Sequence, residues 1–132
     1  QHHYRSFLFD AVVPVPLSAQ RLQARGYNQV ELLSALLSAE LELPHHPEYL
    51  QRVRDTQRLY QMSRAERARI LQNAFLASSV VEKQRILLVD DIYTTGATAR
   101  AASTALLKQG AASVCVLCVA ASHELADDVQ AE

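Results

Sequence analysis

The run Ile86-Leu87-Leu88-Val89-Asp90-Asp91-Ile92-Tyr93-Thr94-Thr95-Gly96-Ala97-Thr98 gathers two carboxylates, three threonines and a glycine behind four consecutive aliphatics. Four aliphatics in a row predict a strand covered on both faces, as in parallel sheets. Two acids then stand at the carboxyl end of that strand, the edge where open α/β sheets bind ligands. Carboxylates there accept hydrogen bonds from neighbouring hydroxyls, such as the cis 2- and 3-hydroxyls of a ribose. The threonines and Gly96 open a helix, whose start offers unpaired N–H groups and the positive end of the helix dipole to an anion. Gly96 lets backbone come close to that anion. One turn can therefore hold a sugar diol and a phosphate, and the implied ligand is a phosphorylated ribose.

Other chemistries are tested by the same residues. Gly26, Gly96 and Gly110 are the only glycines, so neither a Walker P-loop nor a dinucleotide G-x-G-x-x-G can be written. Leu87 to Asp91 also looks like the opening of a phosphoacceptor receiver domain, which needs roughly a full domain length after that strand. Only 41 residues follow Asp91. The plainer alternative is an acidic loop that caps a helix, with Asp91 or Thr95 serving structure alone.

Several elements must position this turn. Ala11 to Pro16 predicts a short strand whose two prolines remove ladder donors and end it in a loop. Asn28 with Glu31 forms a capping-box pattern, and Val30, Leu33, Leu37 and Leu41 recur at helical spacing, with Leu36 widening the stripe. That stripe reads as core packing, and the helix should stop before Pro44. Pro44-His45-His46-Pro47 reads as a solvated loop and Tyr49 to Val53 as a short strand. Ser63 with Glu66 repeats the capping box and predicts a helix from Arg64 to about Gln72, followed by a short strand within Asn73 to Ser78. After the acidic turn comes an Ala-rich helix from about Ala97 to Gln109, which Gly110 should end. Val114 to Val119 reads as a further buried strand, with Cys115 and Cys118 packed in the core on opposite faces. Strand, helix and strand from Ile86 to Val119 make a βαβ unit, so the expected class is α/β, with a mostly parallel central sheet flanked by helices.

Composition sets the outer bounds. The 132 residues favour one domain, and 49% apolar with 20% charged residues excludes a disordered or collagen-like chain. No apolar stretch approaches the roughly 18–20 residues of a membrane span, and no signal peptide is visible. Two cysteines give no disulfide framework, so a reducing cytoplasm is the expected location. A net charge of −1 argues against a nucleic-acid coat. It conceals six arginines against Asp55 and Glu66 between residues 52 and 69. The expected organisation is residues 1–10 as an N-terminal extension or tag remnant, 11–122 as the domain and 123–132 as a C-terminal tail.

Residues Ile86 to Thr98 closely resemble the signature of type I phosphoribosyltransferases, which bind 5-phosphoribosyl-1-pyrophosphate (PRPP). A second set of residues resembles the competence protein F (ComF/GntX-like) family. It comprises Val13-Pro14-Val15-Pro16-Leu17, Arg21-Leu22, Arg25-Gly26-Tyr27-Asn28-Gln29, Arg52 to Gln57, Ser63 to Arg67 and Asn73-Ala74-Phe75. The resemblance implies a type I phosphoribosyltransferase-like core. It implies that Asp90 and Asp91 hold the ribose hydroxyls and that Thr94, Thr95, Gly96, Ala97 and Thr98 wrap the 5′-phosphate. It places the pyrophosphate at Leu17 and Ser18, with Arg21 or Arg25 near, and makes Arg52, Arg54 and Arg58 candidates for a basic lid. Magnesium is expected on the pyrophosphate and ribose oxygens, with help from Asp90 and Asp91. Purine-type members place an acid where Thr94 stands, so no catalytic base is assigned. Family members usually carry an N-terminal zinc ribbon, whose cysteines this sequence lacks.

The reaction so implied is displacement of pyrophosphate from PRPP by an unidentified acceptor, linked to competence or to the use of DNA and nucleobases. The alternative is a non-catalytic sensor of PRPP or a nucleotide, or a DNA-uptake component acting through a partner. A homodimer, and contact with DNA or a helicase through the arginine segment, complete the partner expectations, with no membrane contact.

Overall fold

The computed structural model describes residues 8–17, 29–53, 63–91 and 96–119. Its centre is a three-stranded parallel sheet of β1 (Ala11–Pro14), β4 (Arg85–Asp91) and β5 (Ser113–Val119), in the order β1-β4-β5. Ala11 lies opposite Ile86 and Pro14 opposite Val89; on the other side, Arg85 faces Ser113 and Asp91 faces Val119. Helix α1 (Gln29–Leu41) follows β1, and helix α3 (Gly96–Lys108) links β4 to β5. Between them, β2 (Leu50–Arg52) and β3 (Phe75–Ala77) form a separate antiparallel pair around helix α2 (Arg64–Gln72). The class is α/β, and the main sheet is parallel throughout.

Two cores follow from strand alternation, which sends successive side chains to opposite faces. Val13, Ile86 and Leu88 pack on one face with Ala102 and Leu106 of α3, joined by Leu50 and Phe75 of the antiparallel pair. Val12, Leu87 and Val89 pack on the other with Val30 of α1 and Leu43. Ile86, Leu87, Leu88 and Val89 are all buried, as four consecutive aliphatics require.

Helix ends obey local chemistry. The Ser63 Oγ accepts the Glu66 N–H at 3.2 Å, which realises one half of the predicted box at the start of α2. At the end of α3, Gly110 adopts φ 97°, its N–H donates to the Leu107 carbonyl (3.0 Å), and the Ala111 N–H donates to that of Leu106 (3.2 Å). That is a Schellman closure, and a left-handed φ is what calls for glycine there.

Three expectations are corrected. β5 is not a buried strand: among the described residues it lies at the sheet edge, most of it open to solvent, and Cys115 and Cys118 are exposed instead of packed in the core. A hydrophobic run identifies a strand but not its place in the sheet order. Helix α1 buries the leucine stripe only in part: Leu37 and Leu41 pack against the core that holds Val30, but none of the leucines of the helix is fully buried. Its buried line is Val30, Ser34 and Ser38, while Leu36 is 69% exposed. Ser34 and Ser38 donate to the Glu31 and Ala35 carbonyls (2.9 and 3.1 Å), so small, internally satisfied side chains let the helix lie close to the sheet. Leu37 and Leu41 only flank that line, partly buried. Finally, Pro44 to His46 is no solvated loop. It adds a parallel bridge to β1, with Val12 N–H to Pro44 O at 2.8 Å and His46 N–H to Val12 O at 3.0 Å. His45 Nε2 lies 2.7 Å from Ser34 Oγ. Burial holds the His45 imidazole below its usual pKa.

Candidate functional site

β4 ends in Asp90 and Asp91, both inside the protein at 1% and 3% exposure. Alternation along the strand separates their side chains. Asp90 shares the α3 face with Ile86 and Leu88, and Asp91 shares the α1 face with Leu87 and Val89. Asp90 Oδ1 accepts the Asp91 N–H at 2.8 Å, which fixes the first carboxylate against the second residue's backbone. Buried carboxylates are costly to desolvate, and such a pair at the carboxyl edge of a central strand is the arrangement expected of a binding site.

The flanks of this pair are set by register. On one side the Val15 N–H donates to the Val89 carbonyl at 2.8 Å, so Val15, Pro16 and Leu17 leave the sheet beside the acids. Leu17, assigned by resemblance to the pyrophosphate, therefore lies on the exit from β1, next to the carboxyl end of β4. On the other side Cys118 lies opposite Asp90, and Val119 opposite Asp91. Cys118, expected in the core, is instead an exposed neighbour of Asp90, a pairing that depends on the register of β4 and β5 and not on local sequence.

Helix α3 starts at Gly96, and no acidic residue occupies its first turn. An acid there would oppose an anion; without one, the helix start and the positive end of its dipole favour one. A Cβ placed on Gly96 would meet nothing within 4 Å, so there is open space beside its backbone. Ala97 is half-buried and Thr98 buried in the same turn. Asp90, Asp91, Gly96, Ala97 and Thr98 thus share the carboxyl edge of the sheet. Thr94, Thr95, Ser18, Arg21, Arg25, Arg54 and Arg58 lie outside the described residues.

Arg52 closes β2 opposite Phe75, and its guanidinium carbon sits 4.9 Å from the Phe75 ring centroid. The Val53 N–H donates to the Ala74 carbonyl at 2.7 Å, so residues 52–53 and 74–75 form the neck of the segment between them. Leu50, Phe75 and Ala77 root that neck in the core on the α3 face, the face that carries Asp90. Arg52 is anchored there by its cation–π contact.

Parallel strands, an acid pair at the end of the central one and an acid-free helix start define a phosphoribosyltransferase-type domain. Residues 15–132 match the phosphoribosyl transferase domain family, and the chain belongs to it. Its relatives point to one branch. It is 42% identical over 104 residues to Competence protein F of Haemophilus influenzae, covering 76% of this chain and 45% of that protein. It is 38% identical over 110 residues to the DNA utilization protein YhgH of Escherichia coli K12 (83% and 48%). It is 36% identical over 104 residues to Competence protein ComFC of Bacillus subtilis (77% and 40%). The chain thus spans a little under half the length of the curated relatives it matches. A solved structure of the allosteric regulatory enzyme of purine biosynthesis is similar too, with TM-score 0.55 and 25% identity, over 89% of this chain and 25% of that one. Among the described residues, no helix is long and apolar enough to cross a membrane.

Proposed function

We propose that the domain binds PRPP and transfers its phosphoribosyl group to a nucleophile. The bond from C1 to the pyrophosphate oxygen breaks, a bond from C1 to the acceptor forms, and pyrophosphate leaves. One observation carries this reading: two buried carboxylates end the central strand immediately before a helix start free of acids. Asp90 and Asp91 accept the ribose hydroxyls. Thr94, Thr95, Gly96, Ala97 and Thr98 surround the 5′-phosphate. Leu17 and Ser18, with Arg21 or Arg25, receive the pyrophosphate, and Arg54 and Arg58 close over it from the neck at Arg52. Asp90 and Asp91 are hard oxygen donors that suit Mg²⁺, and among the described residues no cluster of three His, Cys, Asp or Glu forms a metal cage. Asp90 and Asp91 would help hold such an ion, whose remaining ligands would be substrate and water oxygens, and it would supply neutralisation of charge at the pyrophosphate. Positioning of C1 and stabilisation of that departing charge supply the catalysis. The location that suits this chemistry is the cytoplasm.

Calorimetric titration of PRPP with Mg²⁺ into wild type and the Asp90→Asn/Asp91→Asn double variant tests the site. Binding by wild type alone is expected; equal binding by both proteins overturns the assignment. A screen of nucleobases for pyrophosphate release then tests turnover. The names of the relatives, competence and DNA utilization, favour a second reading, in which the domain senses PRPP or serves DNA uptake without turnover. That reading predicts PRPP binding with no release of pyrophosphate. It also predicts single-stranded DNA binding that weakens steeply with salt and is lost when Arg52, Arg54 and Arg58 become Ala.

A further inference from the structure

β5 is hydrogen-bonded to β4 along all seven residues, and its other edge meets no strand among the described residues. An edge strand presents a row of unpaired N–H and C=O groups, which soluble proteins blunt with lysine, proline, a bulge or a short strand. β5 uses none of these. Its sequence, Ser-Val-Cys-Val-Leu-Cys-Val, carries no charge, proline or glycine, and its register runs unbroken. Val116 and Leu117 lie on opposite faces and are 40% and 39% exposed. Such an edge is a template for another strand.

We propose that the occupant is a second copy of this chain, the two β5 strands pairing antiparallel about a two-fold axis at Val116. A two-fold axis normal to the sheet keeps the same face upward in both copies, so a residue can oppose only one of its own parity in the strand. Full overlap of the seven residues then sets Val116 against its own counterpart, Cys115 against that of Leu117 and Val114 against that of Cys118. No pairing brings two charges together, and only Ser113 against Val119 mixes polar with apolar. The strand is complementary to itself, as an isologous interface requires. The product is a continuous six-stranded sheet in which neither β5 edge is left open.

Sedimentation equilibrium of the 132-residue chain is expected to show the mass rising from one chain to two with concentration. Val116→Lys would place two like charges at the axis, and it is expected to hold the protein at one chain with an unchanged circular dichroism melt. In a Cys115→Ser/Cys118→Ser background, oxidation is expected to cross-link Val116→Cys into dimers well ahead of Leu117→Cys, whose own counterpart lies two residues out of register. If Val116→Lys fails to fold, the cross-linking ratio decides alone. A single-chain mass at every concentration, a dimer that survives Val116→Lys in a folded protein, or equal cross-linking at both positions would overturn the proposal.

Discussion

The two ends of β4 carry charge for different reasons. At its start Arg85 meets Asp10: Nη2 to Oδ1 is 3.0 Å and Nε to Oδ2 is 3.1 Å, while the Arg85 backbone N–H donates to the same Oδ2 at 2.7 Å. The Asp10 N–H returns a bond to the Arg85 carbonyl at 2.7 Å, so β1 and β4 are stapled where they enter the sheet. That pair is about one-third exposed. At its other end the strand buries two acids side by side. A charge at the wet end of a strand costs little and ties two strands together; two adjacent carboxylates inside the protein are costly to desolvate and stand at the edge where open α/β sheets bind ligands. The first end is explained by stability, and the second is the end that the proposed function uses.

Substitution at each end should therefore separate binding from folding. Asp90→Asn/Asp91→Asn carries the largest effect. On the proposed function each carboxylate would make a charge-assisted hydrogen bond to a ribose hydroxyl worth about 1.5–3 kcal/mol, so losing two should lower PRPP affinity by about 100-fold or more. The thermal midpoint should stay close to that of wild type, because Asn keeps the side-chain volume and an Oδ1 able to accept the Asp91 N–H. A double variant that melts well below wild type would make the acids structural and remove the contrast. Asp10→Ala should do the reverse. Calorimetric PRPP affinity is unchanged, while urea unfolding shows a loss of about 1 kcal/mol, a figure kept low because solvent screens a pair this exposed.

How much of this could be read from the chain differs by end as well. The acid pair, the buried character of β4 and the glycine stop at 110 all follow from local pattern: four aliphatics, two acids, and one residue type able to hold φ 97°. The Asp10–Arg85 staple does not, since it joins residues 75 apart and depends on β1 lying beside β4. The same ignorance of neighbours misplaced β5 and its cysteines, because sheet order decides whether an apolar strand is central or at an edge. In α1 the miss was chemical. Ser34 and Ser38 count as polar in any periodicity, yet each returns its hydroxyl to its own helix and can be buried at small cost. Of the proposed site, the carboxyl edge of β4 and the start of α3 were legible in advance. The proposed lid was legible only as a charge excess, and the contact of Arg52 with Phe75 at its base needed the fold to be seen.

The pH dependence of the staple sharpens the comparison at smaller energies. The side-chain and backbone hydrogen bonds from Arg85 hold the Asp10 carboxyl below its ordinary value of 3.8. A carboxylate with a lowered folded pKa contributes stability that is complete above the unfolded value and disappears as pH falls through the folded one. Wild type should thus exceed Asp10→Asn in urea midpoint by a constant margin from neutrality down to about pH 4, and the margin should close below it. A margin that already closes near neutrality would overturn the assignment of this stability to the Asp10 carboxylate. Added salt has the smallest effect. An ion pair this exposed is partly screened at 1 M ionic strength, where the Debye length is about 3 Å, so the wild-type margin over Asp10→Asn should shrink by a few tenths of a kcal/mol, about the precision of paired urea titrations. The backbone bond from Arg85 N–H to Asp10 is short-ranged and survives screening, which is why the margin should shrink and not vanish.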